Sequence, residues 1–195
     1  MPGLTKMWIK ALVALVVVVA CGTGTAQATV VDSGHFSGSE LGVHEELCGL
    51  AVVHDSVFSG SFRVRMGKGS DDQAFFQRLS LKVTDTFTNP ANGESFSIEN
   101  SSNLNEVKAT RIAGNVFQFT MIESGQPFVL RDGAGSIVLR DRGNIRRSVT
   151  FDTLGDSAPG GIVLDETVVR VSGPHPSFDD LTEEQFCDVV VGLIG

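Results

Sequence analysis

Apolar and polar residues alternate along most of the chain, and the alternation is clearest in the segment that begins at Leu79. The apolar members of that segment are Leu79, Leu81, Val83 and Phe87, with polar residues between them. A period of two is typical of a β-strand with one buried face. The Asn-Pro-Ala-Asn-Gly sequence at 89–93 then interrupts the pattern, since Pro fixes φ and Gly tolerates a positive φ. We therefore expect the chain to reverse there and to return as the second strand of a hairpin.

Shorter alternating segments flank this hairpin, and clusters of Gly, Asn and Asp separate them. The further strands that we expect are 50–58, 62–66, 104–112, 116–123, 128–131, 136–141, 145–152 and 162–171. Turn signals at such short intervals indicate an all-β fold. We expect an antiparallel barrel, or a barrel-like sandwich, of about 8–10 strands. Closure is favoured because it removes the exposed edges of an open sheet.

One helix is expected, at the C-terminal end of the chain. Thr182 and Gln185 have the spacing of a capping box, and the two Glu residues between them favour the first helical turn. Apolar residues then recur at helical spacing, at Phe186, Val189, Val190 and Ile194. This stripe predicts a short helix that lies against the sheet.

The N-terminal segment has the features of an export signal. Lysines precede a run of apolar residues, and Ala-Gln-Ala at 26–28 matches a signal-peptidase site. The sequence that ends at Cys21 also resembles a bacterial lipobox, in which the cysteine becomes lipidated. The protein would then be secreted, or held at the cell surface by a lipid on Cys21.

These signals divide the chain into three expected segments. They are a signal peptide at 1–28, a flexible lead-in with little periodicity at 29–46, and a single β-barrel domain at 47–195. The last segment is long enough to bury a sizeable core.

Composition narrows the classes of function. The formal net charge of −8 makes the chain a poor candidate for binding the phosphates of nucleic acid or an anionic membrane surface. The chain has no Tyr, and its single Trp, Trp8, lies in the expected signal peptide. Sugar binding by aromatic stacking is therefore disfavoured, because such surfaces rely on Trp and Tyr. We expect the 13 Phe residues to fill a core or to line an apolar pocket.

Cys48 and Cys187 are the cysteines that remain after the expected signal peptide. Disulfides persist outside the cytoplasm, neither cysteine belongs to a C-x-x-C motif, and no His has metal-ligand spacing from either. We therefore predict that the two are bridged, and that the bridge joins the C-terminal helix to the start of strand 50–58. No metal site and no cofactor are expected.

The sequence contains no nucleophile elbow, zincin motif, P-loop, dinucleotide glycine pattern or calcium loop. Strict alternation nevertheless places titratable side chains on faces that should be buried. These are His54, Asp85, Arg147 and either Glu166 or its neighbour Asp165. They could form a polar floor inside the barrel, where Arg147 binds an anion and His54 or a carboxylate accepts a proton. Alternatively they form structural ion pairs, for example between Arg147 and Asp141.

A second group of cations is concentrated between residues 131 and 147. Its members are Arg131, Arg140, Arg142, Arg146 and Arg147. These arginines could form a basic spot on an acidic protein, or a solvated face that protects a sheet edge.

Several short motifs are spread along the chain. They are Cys48-Gly49, Thr-x-Thr-Asn-Pro-x-x-Gly-x-Ser at 86–95, the glycine turn at 133–135, the Arg142-Gly143 corner, and Cys187 in the last helix. Together they resemble a broad family of secreted actinobacterial proteins without an established function. The resemblance covers about residues 48–190 and implies export and a β-rich, barrel-like fold. It supplies no catalytic residues to carry over.

These observations predict a secreted or surface-tethered, non-catalytic β-barrel protein that binds a small apolar or anionic ligand, or a surface macromolecule. One alternative is an enzyme of the cyclase or isomerase type, for which His54, Asp85, Arg147 and Glu166 would have to converge on one cavity. A second alternative is a cell-surface adhesion or interaction module. No nucleic-acid partner is expected, and membrane contact is expected only through a lipid on Cys21.

Overall fold

The computed structural model describes residues 30–67, 74–156, 158–179 and 181–195. These residues form eight strands and two helices: β1 (Val30–Leu47), β2 (Leu50–Met66), β3 (Phe75–Thr88), β4 (Ser95–Ala113), β5 (Val116–Arg131), β6 (Ile137–Arg140), β7 (Gly143–Asp152), β8 (Ile162–Ser172), α1 (Pro176–Asp179) and α2 (Glu183–Ile194). The expected signal peptide and the expected lipidation site at Cys21 lie outside the described residues. Neither α1 nor α2 is long and apolar enough to cross a membrane.

All eight strands belong to one antiparallel sheet, in the order β1-β2-β3-β4-β5-β7-β8, with the short β6 paired to β5. This confirms a mostly β fold with a C-terminal helix. The expected closure into a barrel is wrong, because β1 and β8 are the two edges of the sheet and the described parts of them do not pair. Alternation assigns side chains to two faces but does not specify whether the first and last strands meet.

The edge strand β8 shows how an open sheet is protected. Most of its residues are exposed, and it carries the adjacent charges Asp165 and Glu166. Two register shifts interrupt its pairing with β7. Charges and irregular pairing both discourage an edge strand from adding a further strand.

The segment that we expected to be a flexible lead-in, 29–46, falls almost entirely within β1, so that expectation is wrong for its described part. The pairing with β2 places glycine opposite phenylalanine three times: Gly34 with Phe62, Phe36 with Gly60, and Gly38 with Phe58. A β-carbon added to each glycine would lie only 2.8, 2.5 and 2.6 Å, in the same order, from the nearest carbon of the opposite phenylalanine ring. The glycines therefore weaken the sequence pattern of a strand while making room for the rings that stabilise it.

The hairpin that we expected after residue 79 is confirmed as β3–β4, with Phe87 opposite Phe96. Asn89 holds the turn, because its backbone N–H donates to the Glu94 carbonyl at 2.9 Å and its carbonyl accepts from the Gly93 N–H at 2.8 Å. Gly93 has a φ of +77°, which glycine adopts without steric strain.

Helix α2 begins with the expected capping box. The Thr182 hydroxyl accepts from the Gln185 N–H, and the Gln185 side-chain oxygen accepts from the Thr182 N–H. The buried side chains of the helix are Phe186, Val190 and Ile194, and Val189 packs beside them. The predicted apolar stripe therefore lies against the sheet.

The predicted disulfide between Cys48 and Cys187 is confirmed, with 5.1 Å between the two Cα atoms. Cys48 and Gly49 form the two-residue turn between β1 and β2, and both have positive φ, at +53° and +78°. Positive φ at both central residues is the geometry of a type I′ hairpin turn. The bridge thus ties α2 to the first hairpin of the sheet.

Two clusters of buried apolar side chains lie on the face of the sheet that α2 covers. The cluster under α2 contains Leu47, Val52, Phe87, Phe96, Ile98, Phe128 and Leu130 together with the helix residues. The second cluster contains Ala74, Phe117, Phe119 and Val149. We call this side of the sheet the apolar face, and the side formed by the alternate residues the polar face.

Candidate functional site

The first group of predicted site residues lies on the apolar face, next to the cluster under α2. The Nε2 atom of His54 is 3.0 Å from a carboxylate oxygen of Asp85, and its Nδ1 atom is 3.4 Å from one of Glu45. The imidazole stacks on the ring of Phe87, with 4.5 Å between the ring centroids. Both nitrogens of the histidine are therefore engaged with protein carboxylates.

The second group forms a ladder across β5, β7 and β8. Arg147 Nη1 is 2.8 Å from Glu166 Oε1, and Arg147 Nη2 is 3.3 Å from Glu123 Oε2. The expected partner Asp141 is not part of this ladder. Two carboxylates neutralise one guanidinium, so Arg147 is a poor site for a ligand anion.

The four predicted site residues therefore form two separate pairs. His54 and Asp85 lie on β2 and β3, Arg147 and Glu166 lie on β7 and β8, and two strands separate the pairs. Glu123 is the second partner of Arg147, and cross-strand pairing aligns it, across β4 and β3, with Phe62 on β2. Phe62 is eight residues along β2 from His54. Eight residues of strand span about 26 Å. The structure does not bring the four onto one cavity.

Asp141, His175 and Ser177 bring together the residue types of a Ser-His-Asp triad. In a working triad the histidine lies between the hydroxyl and the carboxylate. Here the Ser177 hydroxyl and N–H both donate to the Asp141 carboxylate. His175 is only 1% exposed, its Nδ1 is 3.7 Å from Asp141, and neither ring nitrogen has a hydrogen-bond partner among the described residues. The histidine therefore does not stand between the hydroxyl and the carboxylate as in a triad, and Asp141 instead fixes the start of α1.

A groove of 440 Å³ opens on the polar face. Three arginines line it, Arg63 and Arg65 from β2 and Arg78 from β3, and all three are exposed. Arg63 lies directly opposite Arg78 across the two strands. None of the ion pairs among the described residues includes any of the three. We call this the basic groove.

Among the described residues that line the basic groove, Glu106 carries the carboxyl group. Burial raises the pKa of Glu106 from 4.5 to about 7, and the hydrogen bond from the Gln77 N–H acts in the opposite direction, lowering the pKa. The neutral form of Glu106 is therefore well populated near pH 7. The charge of the groove is dominated by its arginines.

A second groove of 360 Å³ lies beside the basic groove on the polar face. Its polar lining residues are His35, Ser59, Ser61, Ser80 and Lys82. Ser61 and Ser80 are two positions along their strands from Arg63 and Arg78, so the two grooves adjoin. Lys82 adds a fourth cation to this part of the surface.

Sequence reasoning missed the basic groove. The signal was present, because Arg63, Arg65 and Arg78 alternate with apolar residues and so belong to the outward side of their strands. What the sequence does not give is the register that places Arg63 opposite Arg78.

The arginine group expected between residues 131 and 147 does not form a single spot. Arg131 pairs with Glu99 at 2.9 Å, and Arg140 donates to the side chain of Gln126 at 3.2 Å. Arg142 and Arg146 are exposed. In the part of the chain that the structure describes, no group of three His, Cys, Asp or Glu side chains is arranged to hold a metal ion.

The fold and the sites define an open antiparallel β-sheet protein with a disulfide-anchored helix on one face and an arginine-lined groove on the other. No protein-family model matches the chain, and comparisons with curated proteins and with solved structures find no match either. The resemblance to secreted actinobacterial proteins stays a prediction.

Proposed function

We propose that the protein is a non-catalytic binding protein of the cell exterior, and that the basic groove binds an anionic ligand. The observation that carries this proposal is the pair Arg63 and Arg78, which lie directly opposite each other in a groove of ligand size and belong to no ion pair among the described residues. Like charges directly opposite each other destabilise a sheet, so the contact between Arg63 and Arg78 does not contribute to the stability of the fold. Volumes of several hundred Å³ accommodate small-molecule ligands.

The chemistry of the groove favours an anion over an apolar ligand. Guanidinium groups bind carboxylates and phosphates with two parallel hydrogen bonds. Arg65 is also held over the ring of Phe76, with 5.8 Å from the guanidinium carbon to the ring centroid, which limits its rotamers. The apolar-ligand alternative assumed a barrel lumen, and the open sheet removes that assumption.

The enzyme alternative has less support. It required His54, Asp85, Arg147 and Glu166 to surround one cavity, and they form two neutralised pairs instead. In the group of Asp141, His175 and Ser177, the histidine does not contact the hydroxyl as it would in a triad. Location outside the cytoplasm is supported by the export signal in the sequence and by the Cys48–Cys187 bridge, since disulfides persist in oxidising compartments.

The proposal is tested by titrating the protein with inorganic phosphate and with citrate in a calorimeter at low salt. We expect saturable binding that weakens as salt is added. The double variant Arg63→Gln/Arg78→Gln should weaken it at least about tenfold, because two charge-assisted contacts are lost. Arg142→Gln, at an exposed arginine outside the groove, is the matched control and should bind normally. Equal binding by the double variant would contradict the proposal.

A further inference from the structure

The basic groove is one end of a longer row of residues on the polar face. Cross-strand register aligns one residue from each of six neighbouring strands, from β2 to β8. In sheet order these residues are Arg63, Arg78, Asn105, Ile122, Arg146 and Arg170. The four arginines are all exposed. We call this line the arginine row.

The arginines of the arginine row face one another in pairs. Arg146 lies directly opposite Arg170, just as Arg63 lies opposite Arg78. None of the ion pairs among the described residues includes any of the four. The chain has 23 acidic and 15 basic residues, so carboxylates are not scarce. Four exposed arginines in line, with no ion-pair partner among the described residues, give this acidic protein a local positive field that attracts an external anion.

A second row runs parallel to the first, two residues along each strand. Its members are Ser61, Ser80, Asn103, Ser124, Asn144 and Ser172. Hydroxyl and amide groups both donate and accept hydrogen bonds. We call this line the polar row. The surface thus presents a strip of cations beside a strip of small donors and acceptors.

The length of the arginine row selects the kind of ligand. Neighbouring strands lie about 4.8 Å apart, so the five steps from Arg63 to Arg170 cover about 24 Å of sheet. A small anion occupies one arginine pair. A linear polymer that crosses the strands can contact both arginine pairs at once. Its overall affinity is then higher, because the second contact forms within a complex that already exists.

We propose that the arginine row and the polar row bind a linear acidic polysaccharide. The carboxylate or sulfate groups would lie on the arginines, and the sugar hydroxyls on the serines and asparagines of the polar row. This inference rests on the proposed function and extends its ligand from a small anion to a polymer. It needs no aromatic stacking, which suits a chain without Tyr.

Single-stranded nucleic acid is the weaker match to this surface. Binding of single strands relies on aromatic side chains that stack on successive bases, and neither row contains one. The net charge of −8 also opposes a long phosphate backbone beyond the row.

A size series of oligogalacturonides, from the disaccharide to the polymer, tests the inference in direct binding measurements. We expect affinity to rise with length until an oligomer spans about 24 Å, and then to level off. The double variant Arg146→Gln/Arg170→Gln should lose the gain with length, at least about tenfold for long oligomers. Phosphate binding in the basic groove should be unchanged in this variant, and Arg142→Gln should retain both properties. Far-UV circular dichroism checks that each variant is folded.

The other possible outcomes distinguish failure of the polysaccharide site from failure of the proposed function. The polysaccharide site would be overturned if affinity does not change with oligomer length, or if the double variant Arg146→Gln/Arg170→Gln keeps the rise of affinity with length. Either result would leave the proposal of anion binding in the basic groove standing. A single-stranded oligonucleotide of the same length that binds more tightly, and loses that binding in the same variant, would assign the row to nucleic acid and overturn the proposal. If the unmodified protein does not bind phosphate, that result would instead contradict the proposed function.

Discussion

Charged side chains on the two faces of the sheet have different surroundings. On the apolar face, His54 pairs with Asp85, and Arg147 pairs with Glu166. On the polar face, Arg63 and Arg78 oppose each other, and no ion pair among the described residues includes either of them. A charge that lies beside a core is partly shielded from water and gains from an opposite charge, whereas a charge on a solvated face can stay free for a ligand.

Glu106 should make stability depend on pH. Its pKa is higher in the folded protein, at about 7, than its ordinary value of 4.5, so the folded state binds the proton more tightly. The stabilisation is complete below pH 4.5 and is lost as the pH rises to about 7, with a total of up to about 3 kcal/mol. Glu106→Gln should remove this dependence and raise the free energy of unfolding at pH 8, measured by urea denaturation.

Glu40→Gln, at an exposed position of β1, is the control for that measurement. It should leave the pH dependence as it is in the unmodified protein. An unmodified protein whose stability stays constant between pH 5 and 8 would show that Glu106 is not buried as described.

The β3–β4 hairpin and helix α2 depend on each other. The side-chain amide of Asn89 donates to the carbonyl of Ile194 at 2.7 Å, and that of Asn92 donates to the same oxygen at 3.1 Å. The last carbonyl groups of a helix have no partner within the helix. The hairpin therefore satisfies the C-terminal end of α2, which gives the Asn-Pro-x-x-Gly sequence a structural role.

Replacing Asn89 should cost more than replacing Asn92. Asn89 is buried, so Asn89→Ala removes a protected hydrogen bond and should lower the free energy of unfolding by about 1–3 kcal/mol. Asn92→Ala, at an exposed position with the same acceptor, is the matched control and should cost less than about 1 kcal/mol. Far-UV circular dichroism during urea denaturation is the appropriate measurement, because the chain has no Tyr. Equal costs would contradict the capping role.

Elements with clear periodicity could be predicted from the sequence, and elements without it could not. Leu79 to Phe87 alternates with polar residues, and Thr182 and Gln185 carry a capping signal that depends only on local spacing. Strand β1 was missed because Gly34 and Gly38 have no side chain to show the alternation. Phe58 and Phe62 of β2 pack over these glycines, and a local sequence pattern does not include such a cross-strand contact.

At the scale of the whole molecule, the Cys48–Cys187 bridge joins residues 139 positions apart. Such a bridge restricts most of the chain in the unfolded state, and its removal typically costs about 2–5 kcal/mol. Cys48→Ala/Cys187→Ala should lower the free energy of unfolding by that amount, measured by urea denaturation. Reduction of the unmodified protein should have the same effect, and a change below about 0.5 kcal/mol in both would contradict the role of the bridge.

Long-range arrangement was the part that the sequence could not supply. Alternation placed His54, Asp85, Arg147 and either Asp165 or Glu166 on the inward face. The structure pairs His54 with Asp85 and Arg147 with Glu166 there. It did not specify that the sheet stays open, since that depends on whether β1 meets β8. It also did not align Arg63 with Arg170, because that alignment passes through five separate strand pairings.

The most direct test of the anion-binding face is to follow the arginine Nε–H signals by NMR while phosphate is added. We expect the signals of Arg63 and Arg78 to shift in a saturable way. The signals of Arg131 and Arg147, which pair with protein carboxylates, should stay in place. Shifts confined to Arg131 and Arg147, or no saturable shift at Arg63 and Arg78, would contradict anion binding at this face.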